Sequence, residues 1–196
     1  MRIYPRCHLK QILEEHLGPK RYHHSLMVEQ AALQLAVLHN GDWYRAGLAG
    51  LLHDICRDHH PNWQREYMER HGCFLSEEWK VNPQIWHSVC GSLYLRQELG
   101  ISDPGILRAV RYHTTGRAGM SQLEQIVFVA DAISADRNYP GVEALRKTAQ
   151  HSLDEAMFVC LSHTLEEVAK RGLPLVRESR EAYNEYSRKK GIGAKR

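Results

Sequence analysis

The segment Ala46-Gly47-Leu48-Ala49-Gly50-Leu51-Leu52-His53-Asp54 is a run of small and apolar residues that ends in two titratable side chains. Such a run packs as an inward-facing helix and carries the His53-Asp54 doublet into the interior with it. A buried histidine beside a buried carboxylate is costly unless its charge is paired, and coordination of a cation is the usual remedy. Neighbouring helical residues point about 100° apart, so both side chains reach one ion only where the helix ends. Arg57, Asp58 and Pro61 place that end just beyond the doublet.

Outward from this segment nearly every stretch is helical. Met27, Val28, Ala31, Ala32, Leu35 and Ala36 form one apolar stripe, which predicts a helix over about Arg21 to His39 ended by Gly41-Asp42. A second runs from near Trp43 into His53. Asn82-Pro83 and Asp103-Pro104 are helix starts, Gly100 is a stop, and Ser152-x-x-Glu155 is a capping box before a long amphipathic run ending at Arg171-Gly172. Thr114 to Gly119 is rich in turn residues. No alternating strand pattern is present, so the expected fold is all-α, a compact bundle of roughly eight helices.

With 196 residues, 43% of them hydrophobic, the chain can bury a real core. We expect a single domain over residues 1–190 and a basic, mobile tail over 191–196. The formal net charge of +3 is too small to argue for nucleic acid or membrane as partner. Five scattered cysteines with no C-x-x-C pair exclude a disulfide framework and fit a reducing cytoplasm. No membrane-spanning run or signal-peptide core is visible, so a cytoplasmic, unexported protein is expected.

The candidate ligands occur in the order His24, His53-Asp54, His87, His113 and Asp131. With 13 histidines in the chain, chance placement competes with function. We set His8, His16, His39, His59, His60, His71, His151 and His163 aside as structural. Asp131 lies in the apolar stretch Ile126 to Ile133, where an unpaired carboxylate is unfavourable; a buried cap or an ion pair with Arg137 is the competing explanation. Imidazole and carboxylate donors without thiolate suit a divalent metal used for hydrolysis. Arg21 precedes His24 by three residues and shares its helix face, whereas Arg111 lies on a different face from His113. Thr114, Thr115 and Gly116 offer hydroxyl and backbone donors beyond a helix end, and Arg137 lies about one and a half turns beyond Asp131.

Arg21-x-x-His24, Gly50-Leu-Leu-His-Asp54, Trp86-His87, Arg111-Tyr-His-Thr-Thr-Gly116 and Val127-Phe-Val-Ala-Asp131 together resemble the HD-domain phosphohydrolase superfamily, and within it the YqeK family of bacterial symmetrical dinucleoside-tetraphosphate hydrolases. The match spans about Lys20 to Asn184. It implies iron-dependent cleavage of diadenosine tetraphosphate to two ADP by a metal-activated water, with one or two divalent ions and manganese as an alternative. It implies His24, His53, Asp54 and Asp131 as metal ligands, with His87 and His113 holding a second ion or contacting phosphate. Asp54, His87 and His113 would act in catalysis, and Arg21, Arg57, His87, His113, Thr114 and Arg137 would bind substrate. A surface role for Arg57 stays open at this stage, as does a homodimer. The partners implied are a dinucleoside polyphosphate and its ADP product. Two departures stand out: Arg57 occupies the place of the glutamate in the H-D-x-x-E-D pattern of alarmone hydrolases, and Leu173 to Asn184 is a divergent form of the segment that lines the family's nucleotide pocket. The alternatives are an HD phosphohydrolase acting on another nucleotide and a non-catalytic nucleotide-binding module.

Overall fold

The structure, a computed structural model, describes residues 4–191; most of the basic tail, residues 192–196, lies outside the described residues. Eleven α-helices follow one another: α1 (Arg6–His16), α2 (Pro19–Leu38), α3 (Trp43–Leu52), α4 (Pro61–Arg70), α5 (Glu77–Lys80), α6 (Trp86–Gln97), α7 (Pro104–Tyr112), α8 (Gln122–Ile133), α9 (Val142–His151), α10 (Leu153–Lys170) and α11 (Arg177–Lys189). No strand occurs among the described residues, so the all-α class holds. The helix count is higher than expected because the additional helices are short and polar. The four residues of α5 hardly exceed one turn and show no periodicity to read. Asn82-Pro83 opens a 3₁₀ turn, Pro83–Ile85, before α6 begins at Trp86.

The small residues of α3 let its backbone approach α2 closely. A methyl group added at Gly50 would stand 3.0 Å from the Ala32 side chain and 3.1 Å from the Val28 carbonyl oxygen. Asp42 caps α3 by accepting from the Arg45 N–H at 3.0 Å. Asp103 caps α7 through the N–H groups of Gly105 and Ile106, and Ser152 caps α10 through Glu155 N–H.

Two apolar clusters flank α3. One is built from residues such as Leu13, Leu51, Leu52, Ile55, Leu95 and Val110. The other joins Val28, Ala32, Val129, Met157, Leu161 and Tyr186. Each fully buried leucine contributes roughly 2 kcal/mol, so helix positions near the seam between the clusters are held firmly from both sides. His24 of α2, His53 and Asp54 just beyond α3, and Asp131 of α8 gather near that seam. All five cysteines are free, and no described helix is long and apolar enough to cross a membrane.

The start of α8 is fixed by a buried carboxylate. Glu124 accepts from Arg117 through both oxygens, at 2.6 and 2.8 Å, and completes a capping box with Ser121. Burial pushes the Glu124 pKa up, but the bonds from Arg117 and Ser121 outweigh it and leave the carboxyl below its ordinary 4.5. A folded-state pKa below the unfolded one stabilises fully above the unfolded value, and that contribution is lost as pH falls through the folded value. Glu124→Ala should therefore lower stability by about 3 kcal/mol at neutral pH, as expected when one partner of a buried pair is removed. In urea titrations the difference from wild type should shrink as the pH drops below 4.5; a pH-independent difference would mean that the pair carries no linkage.

Candidate metal centre

The α3 helix stops at Leu52, and the chain then tightens through a run of turns, with Arg57 N–H bonding to the Asp54 carbonyl at 2.7 Å. This helix end turns His53 and Asp54 toward one point, as the doublet requires. His53 Nδ1–H donates to the Gly50 carbonyl at 2.7 Å, which leaves the Nε2 lone pair pointing inward. That Nε2 is buried and has no hydrogen-bond partner. His113, the C-cap of α7, repeats the arrangement, its Nδ1–H donating to the Val110 carbonyl at 2.8 Å. His24 on α2 donates Nδ1–H to Asp136 at 2.8 Å and turns Nε2 toward Asp131, 2.9 Å away.

Three imidazoles thus present Nε2 to a common centre, with their outer nitrogens tied to acceptors, the arrangement that orients histidine toward a metal. The carboxylates complete it. Asp54 Oδ2 lies 3.3 Å from His53 Nε2 and Oδ1 lies 3.4 Å from His113 Nε2. Asp131, in the last turn of α8, lies 3.9 Å from His53 Nε2. The atoms form two overlapping groups that share His53: His24, His53 and Asp131, and His53, Asp54 and His113. Within each group all ligand atoms lie within 4.8 Å of one another.

His87 differs from the other three. Arg57 Nη1 lies 3.0 Å from His87 Nδ1, and a guanidinium can only donate. The His87 proton is therefore on Nε2, 3.1 Å from Asp54 Oδ1, and faces the centre as a donor. Burial lowers the His87 pKa to about 4, so the ring is neutral.

The electrostatics call for a cation. Burial pushes Asp54 up, yet His53 beside it and its contacts with His113 and His87 hold it well below the usual carboxylate range. Asp131 is likewise held far down, against burial, by His24 and Arg137. Burial lowers His53, but the two carboxylates outweigh it and the net shift is upward. A proton on His53 occupies the place a divalent ion would take between two ionised carboxylates. The donors, their protonation and the orphaned Nε2 all fit a metal.

Of the other expected residues, Arg21 donates to Asp54 Oδ2 at 2.8 Å, and Thr114 Oγ1 to Ser88 Oγ at 3.1 Å. Arg137 pairs with Asp131, so the ion pair offered as the competing explanation is present together with the His24 contact. Asp131 is partly exposed and faces a cavity of about 450 Å³. Arg57, His113, Thr114 and Asp131 line that cavity, while Arg21, His24 and His87 stand outside its wall. Arg111 instead stacks over Trp79, 4.5 Å from the ring centroid. A larger groove of about 1040 Å³ between α2 and α9 is mostly apolar and contains none of these groups.

Sequence reasoning missed several residues here. His163, set aside as structural, lines the cavity and stacks on Tyr139 with centroids 5.6 Å apart. Beyond Arg57, His113 and Thr114, the cavity wall comes from α8, the α8–α9 loop, α9 and α10 with its C-cap; none of Leu173 to Asn184 lines it. Asp136, which orients His24, was overlooked although it lies five positions after Asp131, a spacing that could have flagged it. Asp136→Ala should weaken metal binding roughly 10- to 100-fold, as losses of such orienting carboxylates do. Competition with a chelator measures this directly; unchanged affinity would show that His24 needs no such support.

Helices that bring imidazoles and carboxylates to a seam beside an arginine-lined cavity define a metal-dependent phosphohydrolase. Residues 21–136 match the family model described as HD domain, and the chain belongs to that family. Within it the chain groups with proteins named bis(5'-nucleosyl)-tetraphosphatase, symmetrical. The one from Halalkalibacterium halodurans is 35% identical over 175 residues, 89% of this chain and 93% of that protein. The one from Bacillus subtilis is 33% identical over 178 residues, 90% of this chain and 92% of that protein. A crystal structure from Clostridium acetobutylicum, described as a predicted HD superfamily hydrolase involved in NAD metabolism, superposes with a TM-score of 0.92 at 33% identity, covering 96% of this chain and all of that one.

Proposed function

We propose that this protein is a symmetrical dinucleoside-tetraphosphate hydrolase, converting diadenosine tetraphosphate to two ADP. The observation that carries the reading is the convergence of His24, His53, Asp54, His113 and Asp131, with the unpartnered His53 Nε2 at its heart, beside a cavity lined by arginine. The similarity to symmetrical tetraphosphatases over nine-tenths of their length supports the substrate. In this reading His24, His53, Asp54 and Asp131 hold a divalent cation, iron with manganese as the alternative, and His113 supplies a lone pair to the same ion or to a second one. A bound cation there supplies Lewis-acid charge and lowers the pKa of water toward neutrality.

The chain's own residues do the rest. Asp54 belongs to the group with His53 and His113 and adjoins the other group through the shared His53. Arg21, Arg57 and Arg137 offset the charge that spreads over the phosphate oxygens as an inner phosphorus is attacked. His87, with its proton on Nε2, donates to a phosphate oxygen or keeps Asp54 oriented. Thr114 offers its hydroxyl at the cavity wall. ADP is a stable leaving group once its charge is met, so no separate acid is required. We read residues 1–190 as one HD domain in a cytoplasmic enzyme whose partner is a free dinucleotide rather than a nucleic acid.

The test is metal removal. Protein stripped with a chelator should lose turnover of diadenosine tetraphosphate and regain it with ferrous iron under anaerobic conditions. Faster hydrolysis of a mononucleotide than of the dinucleotide by the reconstituted protein would overturn the substrate; full activity of the stripped protein would overturn the metal.

A further inference from the structure

The cavity beside the metal centre has unlike ends. Helix α10 runs along it, contributing Val159 and Cys160 at one end, then His163 and Thr164, and finally Arg171 at its C-cap. Leu145 and Tyr139 also line the cavity; the Tyr139 hydroxyl is anchored to the Ala132 carbonyl at 2.8 Å and its ring stacks on His163. The Arg171 end is cationic. Arg57 Nη1 donates to the backbone carbonyl of Gln84 at 2.6 Å, and Arg171 Nη1 donates to the side-chain oxygen of the same residue. One glutamine thus gathers two guanidiniums from segments 114 positions apart in the chain, the difference between 171 and 57. Neither arginine forms an ion pair with a carboxylate within 4 Å among the described residues, whereas Arg21 and Arg137 are paired with Asp54 and Asp131. The neighbouring Glu167 is bonded by Lys170 and feels the Arg171 charge only at longer range.

Two like charges held together without a carboxylate partner form a site for a multiply charged anion. Space adds a constraint. About 450 Å³ lies toward the lower part of the range for small-ligand sites and holds one nucleoside and its nearest phosphates, so the other half of a dinucleotide extends beyond it toward solvent. From this layout we infer that Arg171, seated by Gln84 beside Arg57, binds the phosphates of the half that projects past the metal centre and thereby selects substrates with a long phosphate chain. One nucleoside lies at the Tyr139 and Val159 end, the bond to be cut lies beside Asp131 and His113, and the second half lies across the arginine end. This inference rests on the hydrolase reading above and adds the direction in which the substrate lies.

Arg171 is exposed, at the end of a helix, and its contact is the same before and during reaction. Its loss should therefore raise KM and leave kcat alone. In steady-state assays of the iron-loaded full chain with diadenosine tetraphosphate, Arg171→Ala should raise KM about tenfold with kcat within about twofold of wild type. Arg171→Lys, which keeps the charge, should recover most of the loss. Gln84→Leu removes the seat for Arg171 and should raise KM in the same direction by a smaller factor. A KM unchanged in Arg171→Ala, or a loss confined to kcat, overturns the assignment; a thermal midpoint lowered along with kcat would mark a merely structural role and overturns it too. Failure of the wild-type enzyme to produce ADP in the same assay would sink the hydrolase reading itself, and this inference with it.

Discussion

Asp54→Ala should abolish hydrolysis, with turnover falling at least about 1000-fold, while the helical circular dichroism stays near that of wild type. Asp54 gathers more contacts than any other carboxylate of the centre. One of its oxygens faces Arg21 and His53 at 2.8 and 3.3 Å, and the other faces His87 and His113 at 3.1 and 3.4 Å. Without that carboxylate, Arg21 and His87 lose their acceptor, and a cation held beside His53 and His113 loses one of its two compensating carboxylates. The fold should survive, because α3 is held by the two apolar clusters on either side of it rather than by the titratable seam. Steady-state kinetics and the far-ultraviolet spectrum of the metal-loaded variant decide the matter. Near-normal turnover would mean that the His and Asp cluster is not where the chemistry happens.

Arg57→Ala should cost roughly 2 to 4 kcal/mol in kcat/KM, and Arg21→Ala a similar amount, as for a lost charge-assisted contact to developing phosphate charge. Arg57 has two links to the site: it lines the cavity, and its bond to His87 Nδ1 keeps the His87 proton on the inward nitrogen. Removing it frees the ring to change tautomer, so kcat should fall more than KM rises. That split distinguishes Arg57 from Arg171, for which KM alone should move. Neither arginine is part of an apolar cluster, so urea midpoints should shift little. Unchanged kcat/KM in both variants would transfer the role of main clamp to Arg137.

Much of this site was legible in the sequence because its parts are local. The apolar run ending at His53-Asp54 read as a buried helix end, and a carboxylate within Ile126 to Ile133 pointed to a cation or a cap. The all-α class followed from unbroken helical periodicity; the Asp103 cap bonds as its spacing predicts, and Ser152 makes half of the expected capping box, accepting from Glu155 N–H. What stayed hidden depends on tertiary return. Asp136 meets His24 across 112 residues, and Arg171 meets Gln84 across 87. His163 read as one more histidine on an amphipathic helix until α10 was laid along the cavity. Which of the four histidines offers a lone pair was also illegible, because it depends on the group behind each ring: a carbonyl behind His53 and His113, a carboxylate behind His24, a guanidinium behind His87.

The central claim is that water attacks an inner phosphorus of a dinucleoside tetraphosphate and that both halves leave as ADP. Hydrolysis of diadenosine tetraphosphate by the iron-loaded enzyme in ¹⁸O-water, followed by mass spectrometry of the nucleotides, tests it most directly. ADP should be the only nucleotide formed, with one labelled ADP for every unlabelled one. ATP and AMP as products, or ADP that carries no label, would contradict it.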